Sequence, residues 1–126
     1  MITQRVFSNT KWEGEVAYCR AIRKGNLIFV SGTTAVNEKL EIVGDNMYEQ
    51  CFFIFQKIER ALHECGASLS DVVRTRTFVT NINDFDGFAK AHQQFFKNNP
   101  PSATCVEVSR FVNNQLLVEI EVDAVV

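Results

Sequence analysis

Hydrophobic and acidic positions alternate from Leu116 to Val126, with Leu116, Val118, Ile120, Val122, Ala124 and Val126 in one register and Glu119, Glu121 and Asp123 in the other. Successive side chains of a β-strand point to opposite faces, so this pattern predicts a final strand packed on a core on one side and carrying carboxylates on the other. An acidic row of this kind requires water, a counter-charge or a chemical role. The run before it, Ser102 to Arg110, places Ala103, Cys105, Glu107 and Ser109 on a common face. If the two strands pair as a hairpin, Cys105, Glu107 and Glu119 line one shallow polar site.

Upstream, Ile2 to Ser8 is a strand candidate and the polar stretch from Asn9 to Gly14 reads as loop. Tyr18 to Lys24 and Leu27 to Thr33 are strand-like runs joined by Gly25-Asn26, a dipeptide suited to a tight antiparallel hairpin. Leu27, Ile28, Phe29 and Val30 are apolar without alternation, which predicts burial on both faces. Asn37 to Asp45 reads as a loop or weak hairpin, with Asp45 or Asn46 positioned to cap a helix. From Met47 to Cys65, Met47, Cys51, Ile54, Phe55, Ile58, Leu62 and Cys65 recur at three- and four-residue spacing, the stripe of an amphipathic helix ended by Gly66. A strand over Asp71 to Ile82 and a second helix over Asp84 to Lys97 follow, stopped by Asn98-Asn99-Pro100-Pro101. The order is strands, helix, strand, helix, two strands. Two helices cover one face of such a sheet, so the other face is expected to meet copies of the same chain.

At 126 residues the chain is the size of a single domain spanning 1–126 with one core. A formal charge of -2 and a pI near 5.7, with arginines scattered rather than striped, argue against a nucleic-acid binder, which needs clustered cations to displace phosphate counterions. No apolar run is long enough to span a bilayer and no signal-peptide pattern opens the chain, so a cytoplasmic protein without membrane contact is expected. Cys51 and Cys65 lie too far apart on one helix to bridge, and no cysteine or histidine spacing suggests a metal, so Cys19, Cys51, Cys65 and Cys105 read as reduced thiols.

Several segments, in order, resemble the YjgF/RidA family of reactive-intermediate deaminases. They are Tyr18-Cys19-Arg20-Ala21, Ile28-Phe29-Val30-Ser31-Gly32, Gly66-Ala67-Ser68-Leu69-Ser70-Asp71-Val72-Val73, Asn83-Asp84-Phe85, Pro101 with Cys105-Val106-Glu107-Val108, and Val118-Glu119-Ile120-Glu121. The resemblance implies an α+β, chorismate-mutase-like mixed sheet with two helices on one face, and a homotrimer with a central β-barrel and three ligand clefts between subunits. It also implies hydrolysis of enamines and imines without metal or cofactor. Tyr18, Ser31, Gly32, Cys105 and Glu119 match cleft positions of the family. Deaminating members carry an arginine in a Pro-x-Arg-Ser-Cys segment that holds the substrate carboxylate; here the segment reads Pro101-Ser102-Ala103-Thr104-Cys105, with Ala103 in its place.

Alanine supplies neither of the paired, charge-assisted hydrogen bonds by which a guanidinium grips a carboxylate. The expected ligand is therefore a small neutral or cationic molecule, unless Arg20, Arg76 or Arg110 reaches the cleft. Glu119 is the catalytic candidate, as the carboxylate that positions and deprotonates water; Tyr18, Ser31, Gly32, Cys105 and Arg20 are the substrate-binding candidates. Arg20 stands where the family segment commonly has glutamine, and a salt bridge to the acidic row is the favoured reading over a relocated anchor. Glu121 and Asp123 read as surface or barrel-lining charges, His92 and His63 each as a satisfied or a surface histidine, and Cys105 as a packing or contact thiol rather than a nucleophile. A noncatalytic small-metabolite binder using the same cleft is the competing reading. A ribonuclease or translation inhibitor fits poorly, for want of a basic stripe or a histidine pair.

Overall fold

A computed structural model describes residues 1–126. Six strands form one mixed sheet: β1 (Thr3–Val6), β2 (Ala21–Lys24), β3 (Leu27–Thr33), β4 (Val72–Val79), β5 (Ser102–Glu107) and β6 (Val118–Val125), in spatial order β1-β2-β3-β6-β4-β5. Three helices accompany it: α1 (Lys11–Val16), α2 (Met47–Glu64) and α3 (Phe85–Phe96). All pairings are antiparallel except β4 with β5, whose parallel register is reached through the α3 crossover. No helix is long and apolar enough to cross a membrane.

The predicted α2 stripe is the buried one: Cys51, Ile54, Phe55, Ile58 and Leu62 are fully enclosed against the sheet. The Asn46 side chain caps the helix by accepting from the Glu49 N–H at 2.9 Å, and Gly66 leaves it at φ +79°, a left-handed turn that a Cβ disfavours. Gln50, an amide in the middle of that apolar stripe, is satisfied by its surroundings. Its Nε2 donates to the Gly44 and Gln115 carbonyls at 3.2 and 3.0 Å while its Oε1 accepts from the Leu117 N–H at 2.9 Å, pinning α2 to the approach of β6. His92 is likewise satisfied, with Nε2 2.9 Å from the Thr75 hydroxyl among Phe55, Phe88 and Phe96, and burial holds its pKa below the ordinary value.

Two expectations are corrected. The segment after Asn9 is not a loop throughout, because Lys11–Val16 forms α1. β5 and β6 do not form a hairpin: β4 lies between them, with Thr77 opposite both Cys105 and Ile120, and Phe78 opposite both Val106 and Glu119. Val118, Ile120, Val122 and Ala124 are buried, which suits β6 to the centre, whereas the polar, proline-preceded β5 suits an edge. Cys105 therefore faces the helices and Glu119 the opposite side. Within the chain, Leu27–Val30 is buried on one face only: Ile28 and Val30 are enclosed while Leu27 and Phe29 are 47% and 44% exposed. With Val106 and Val125 they give the helix-free face an apolar character between its charged residues.

Candidate functional site

The acidic row of β6 divides in two. Arg76, directly across from Glu121 in register, donates through Nη1 to Glu121 at 3.4 Å and Asp123 at 3.2 Å, so that pair has its counter-charge on the same sheet face. Glu119, nearer the end of the sheet, has none of this. It lines a cavity of about 390 Å³ together with Trp12 and Val16 of α1, Tyr18, Arg20 and Gly32. Lys57 of α2, Arg110, Thr10 and Thr34 add to its polar lining.

Burial pushes the Glu119 pKa above its ordinary 4.5, against the lowering influence of Arg20 and with a smaller contribution from Glu121. A carboxylate raised in this way is a better proton acceptor near neutral pH than an exposed one. Gly32 is what lets it sit there: a Cβ on Gly32 would lie 2.9 Å from the Glu119 Cδ and 3.1–3.2 Å from its carboxylate oxygens. Those atoms are the free end of a flexible side chain, so Gly32→Ala is expected to leave the fold intact and to swing the carboxylate aside. A melting temperature close to wild type with loss of any Glu119-dependent activity is the expected result, checked by calorimetry alongside the assay.

Arg20 is buried at 3% exposure beside Glu13, itself 4% exposed, with Nε 3.4 Å from the Glu13 Oε2. The contact is ionic without being an aligned hydrogen bond, since the Nε proton has no acceptor. Nη1 donates to the Gly32 carbonyl and the Thr33 hydroxyl, both at 2.7 Å, and the Tyr18 ring stacks near the guanidinium at 5.6 Å. The partner of Arg20 is thus Glu13 of α1, not the acidic row. Burial alone would raise the Glu13 pKa; the Ser8 hydroxyl and N–H, the Arg20 charge and the Thr10 hydroxyl outweigh it and bring it below 4.5. A carboxylate depressed in the folded state stabilises above its unfolded pKa and loses that contribution as pH falls through the folded value. Wild-type stability is therefore expected to fall on acidification below about pH 4.5, and less so in Glu13→Gln, as read by denaturant titrations across the acid range.

The structure brings Tyr18, Arg20, Gly32 and Glu119 to one cavity and leaves Ser31 and Cys105 outside its lining. The Ser31 hydroxyl donates to the Cys19 carbonyl at 2.8 Å, and Cys105 packs toward the core, where burial raises its pKa. Ala103 lies on β5 in register with Thr75. Trp12, Glu13 and Lys57 were not legible as site residues: the first two fall in a segment without apolar periodicity, and Lys57 flanks a helix stripe like any surface lysine. A larger hollow of about 660 Å³ lies beyond Arg20 and Lys57, between β1, the 36–41 loop and α2, and holds no residue of the Glu119 cluster except those two shared cations.

The fold and the cavity define an α+β protein whose polar hollow, at one end of a mixed sheet, is built around a half-buried carboxylate. Residues 9–126 match the family model described as Endoribonuclease L-PSP. The chain is 31% identical over 121 residues to an uncharacterized protein of Streptomyces coelicolor, covering 96% of this chain and 90% of that one. It is 36% identical over 105 residues to a RutC family protein of Pyrococcus abyssi, covering 82% of each. Among solved structures, a member of the YjgF/YER057c/UK114 family from Mycobacterium tuberculosis superposes with a TM-score of 0.92 at 39% identity, covering 99% of this chain and 100% of that one. The chain belongs to the YjgF/RidA family.

Proposed function

We propose that this protein hydrolyses the C=N bond of a small imine, or of the imine tautomer of an enamine, in the cavity around Glu119. The observation that carries the reading is the half-buried Glu119 carboxylate, raised in pKa, held against Gly32 with an accessible hollow in front of it. Water bound there gives a proton to Glu119 as its oxygen attacks the imine carbon, and the C=N electron pair passes to nitrogen. Return of that proton to nitrogen gives a neutral carbinolamine; Glu119 then takes the hydroxyl proton and passes it to the same nitrogen, so that ammonia or an amine leaves as the carbonyl forms. Tyr18 and the Gly32 backbone serve to position the ligand, while Arg20 moderates the charge of Glu119.

The ligand class turns on Ala103 and on the cations of the cavity. A methyl group on edge strand β5 offers a substrate carboxylate nothing, and Arg20 commits Nη1 to Gly32 and Thr33, but Arg110 lines the hollow with it and can face an acidic group. Neutral imines and 2-imino acids are therefore both proposed substrates. The reading includes a homotrimer whose helix-free faces meet; the exposed Leu27, Phe29, Val106 and Val125 support it, because a monomer gains nothing by leaving such residues in water. The RNA-cleaving activity in the family model's description is not proposed, given a net charge of -2 and no cationic stripe.

The test is release of ammonia from a neutral imine and from a 2-imino acid, each generated in the assay. Turnover of either supports the reading, faster release from the acid pointing to Arg110 as its anchor; saturable binding of both without turnover replaces it with a noncatalytic binder.

A further inference from the structure

Lys57 is used by none of the chemistry above, and its surroundings are unusual for a lysine. It stands on α2 in the partition between the hollows of about 390 and 660 Å³, lining both. Nζ donates to the Val36 carbonyl at 3.0 Å, and no carboxylate lies within ion-pairing distance of it. The charged groups around it come from every neighbouring element: Arg20 before β2, Glu13 of α1, Arg60 and Glu64 on its own helix, Glu38, Lys39 and Glu41 of the loop that carries Val36, and Glu119 of β6 with Arg110 across the smaller hollow. Of these acids, Glu13 is committed to Arg20, Ser8 and Thr10, and Glu38 lies 3.7 Å from Arg60. An ammonium there is half-buried beside a buried guanidinium with no anion of its own.

We infer that Lys57 is a carbonyl-capturing amine, forming a Schiff base through Nζ with small aldehydes or ketones that enter the hollows on either side of it. The inference is independent of imine hydrolysis at Glu119. Burial, followed by the Arg20 charge, lowers the Lys57 pKa from 10.5 to about 8, against a smaller opposing influence of Glu13. A large fraction of the amine is then uncharged near pH 8, where an ordinary lysine is neutral in only roughly one molecule in 300. The Nζ lone pair adds to the carbonyl carbon, the C=O pair moves to oxygen, and a proton passes from nitrogen to that oxygen to give a carbinolamine. Departure of the hydroxyl with the remaining amine proton, as water, leaves C=N between the carbonyl carbon and Nζ. The Val36 carbonyl holds Nζ in place while it is a free amine and accepts again from the protonated imine.

The experiment traps the adduct. Full-length protein is incubated at about pH 8 with propanal, or separately with glyoxylate, in the presence of sodium cyanoborohydride, whose hydride reduces the protonated imine to a stable secondary amine. Peptide mapping then reports the label at each lysine. At limiting reagent, Lys57 is expected to be labelled roughly tenfold or more above Lys11, Lys24, Lys39, Lys90 and Lys97, because so much more of it is neutral. Its labelling should level off above about pH 8. Preference for glyoxylate over propanal would show that the neighbouring arginines select an acidic carbonyl compound, and equal labelling that they do not. Lys57 labelled no faster than the other lysines, or not at all, overturns the inference. Mapping wild-type protein makes the outcome independent of whether a Lys57 variant folds, and ammonia release from imines reads the Glu119 chemistry separately.

Discussion

Glu119→Gln is expected to lower kcat for a neutral imine by about 10²–10⁴, with little change in KM, since removal of a general base costs on that order and the amide keeps the shape and polarity of the cavity wall. The wild-type pH profile should carry an acidic limb above the ordinary carboxylate value of 4.5, because burial raises the Glu119 pKa and the group acts only when ionised. That limb should vanish in the variant. Stability should move the other way. With the folded pKa above the unfolded one, ionising Glu119 costs the folded state more as pH rises, so the amide is expected to melt higher at neutral pH and the advantage to disappear below about pH 4.5. Loss of activity together with a gain in stability separates a working carboxylate from one that merely packs. Unchanged turnover would remove Glu119 from the reaction.

Arg20→Met is expected to be the most destabilising of the substitutions considered, by about 3–5 kcal/mol, because it strips the charge from a buried pair and leaves Glu13 enclosed without it. The same change frees the Gly32 carbonyl and the Thr33 hydroxyl of their common donor. Combining it with Glu13→Gln should cost clearly less than the two single losses summed, by about 1–3 kcal/mol, as contacting residues are not additive. Urea unfolding of the four proteins closes the cycle. Strict additivity would mean that the 3.4 Å contact carries no coupling.

A further consequence of Arg20→Met reaches the site. Arg20 lowers the Glu119 pKa, so its removal should shift the acidic limb of the activity profile upward in whatever fraction remains folded. A purely structural role for Arg20 would scale activity without moving the limb.

Much of this molecule follows from local pattern. The period of two in Leu116–Val126 and the helical stripe of Met47–Cys65 each specify an element by which side chains must leave water, and the folded chain buries most of them; the Gly25-Asn26 turn follows instead from a glycine that accepts φ +59°. The family was legible for the same reason: its short segments keep their order and spacing along the chain. Which strand lies beside which was not. β5 and β6 are consecutive and both alternate, yet β4 separates them, because pairing is decided by which strand can afford an unpaired edge and not by proximity in sequence. That single insertion sends Cys105 to the helix side and Glu119 to the other, undoing the polar site that a hairpin would have made. The charge pairing was equally beyond local pattern. Arg20 meets Glu13 because α1 folds over the start of β2, Arg76 meets Glu121 and Asp123 across a strand boundary, and Lys57 meets no acid at all. Burial and backbone hydrogen bonding are properties a segment carries in its own residues; the field at a carboxylate or an amine is set by side chains from distant parts of the chain, and only the tertiary structure brings those together.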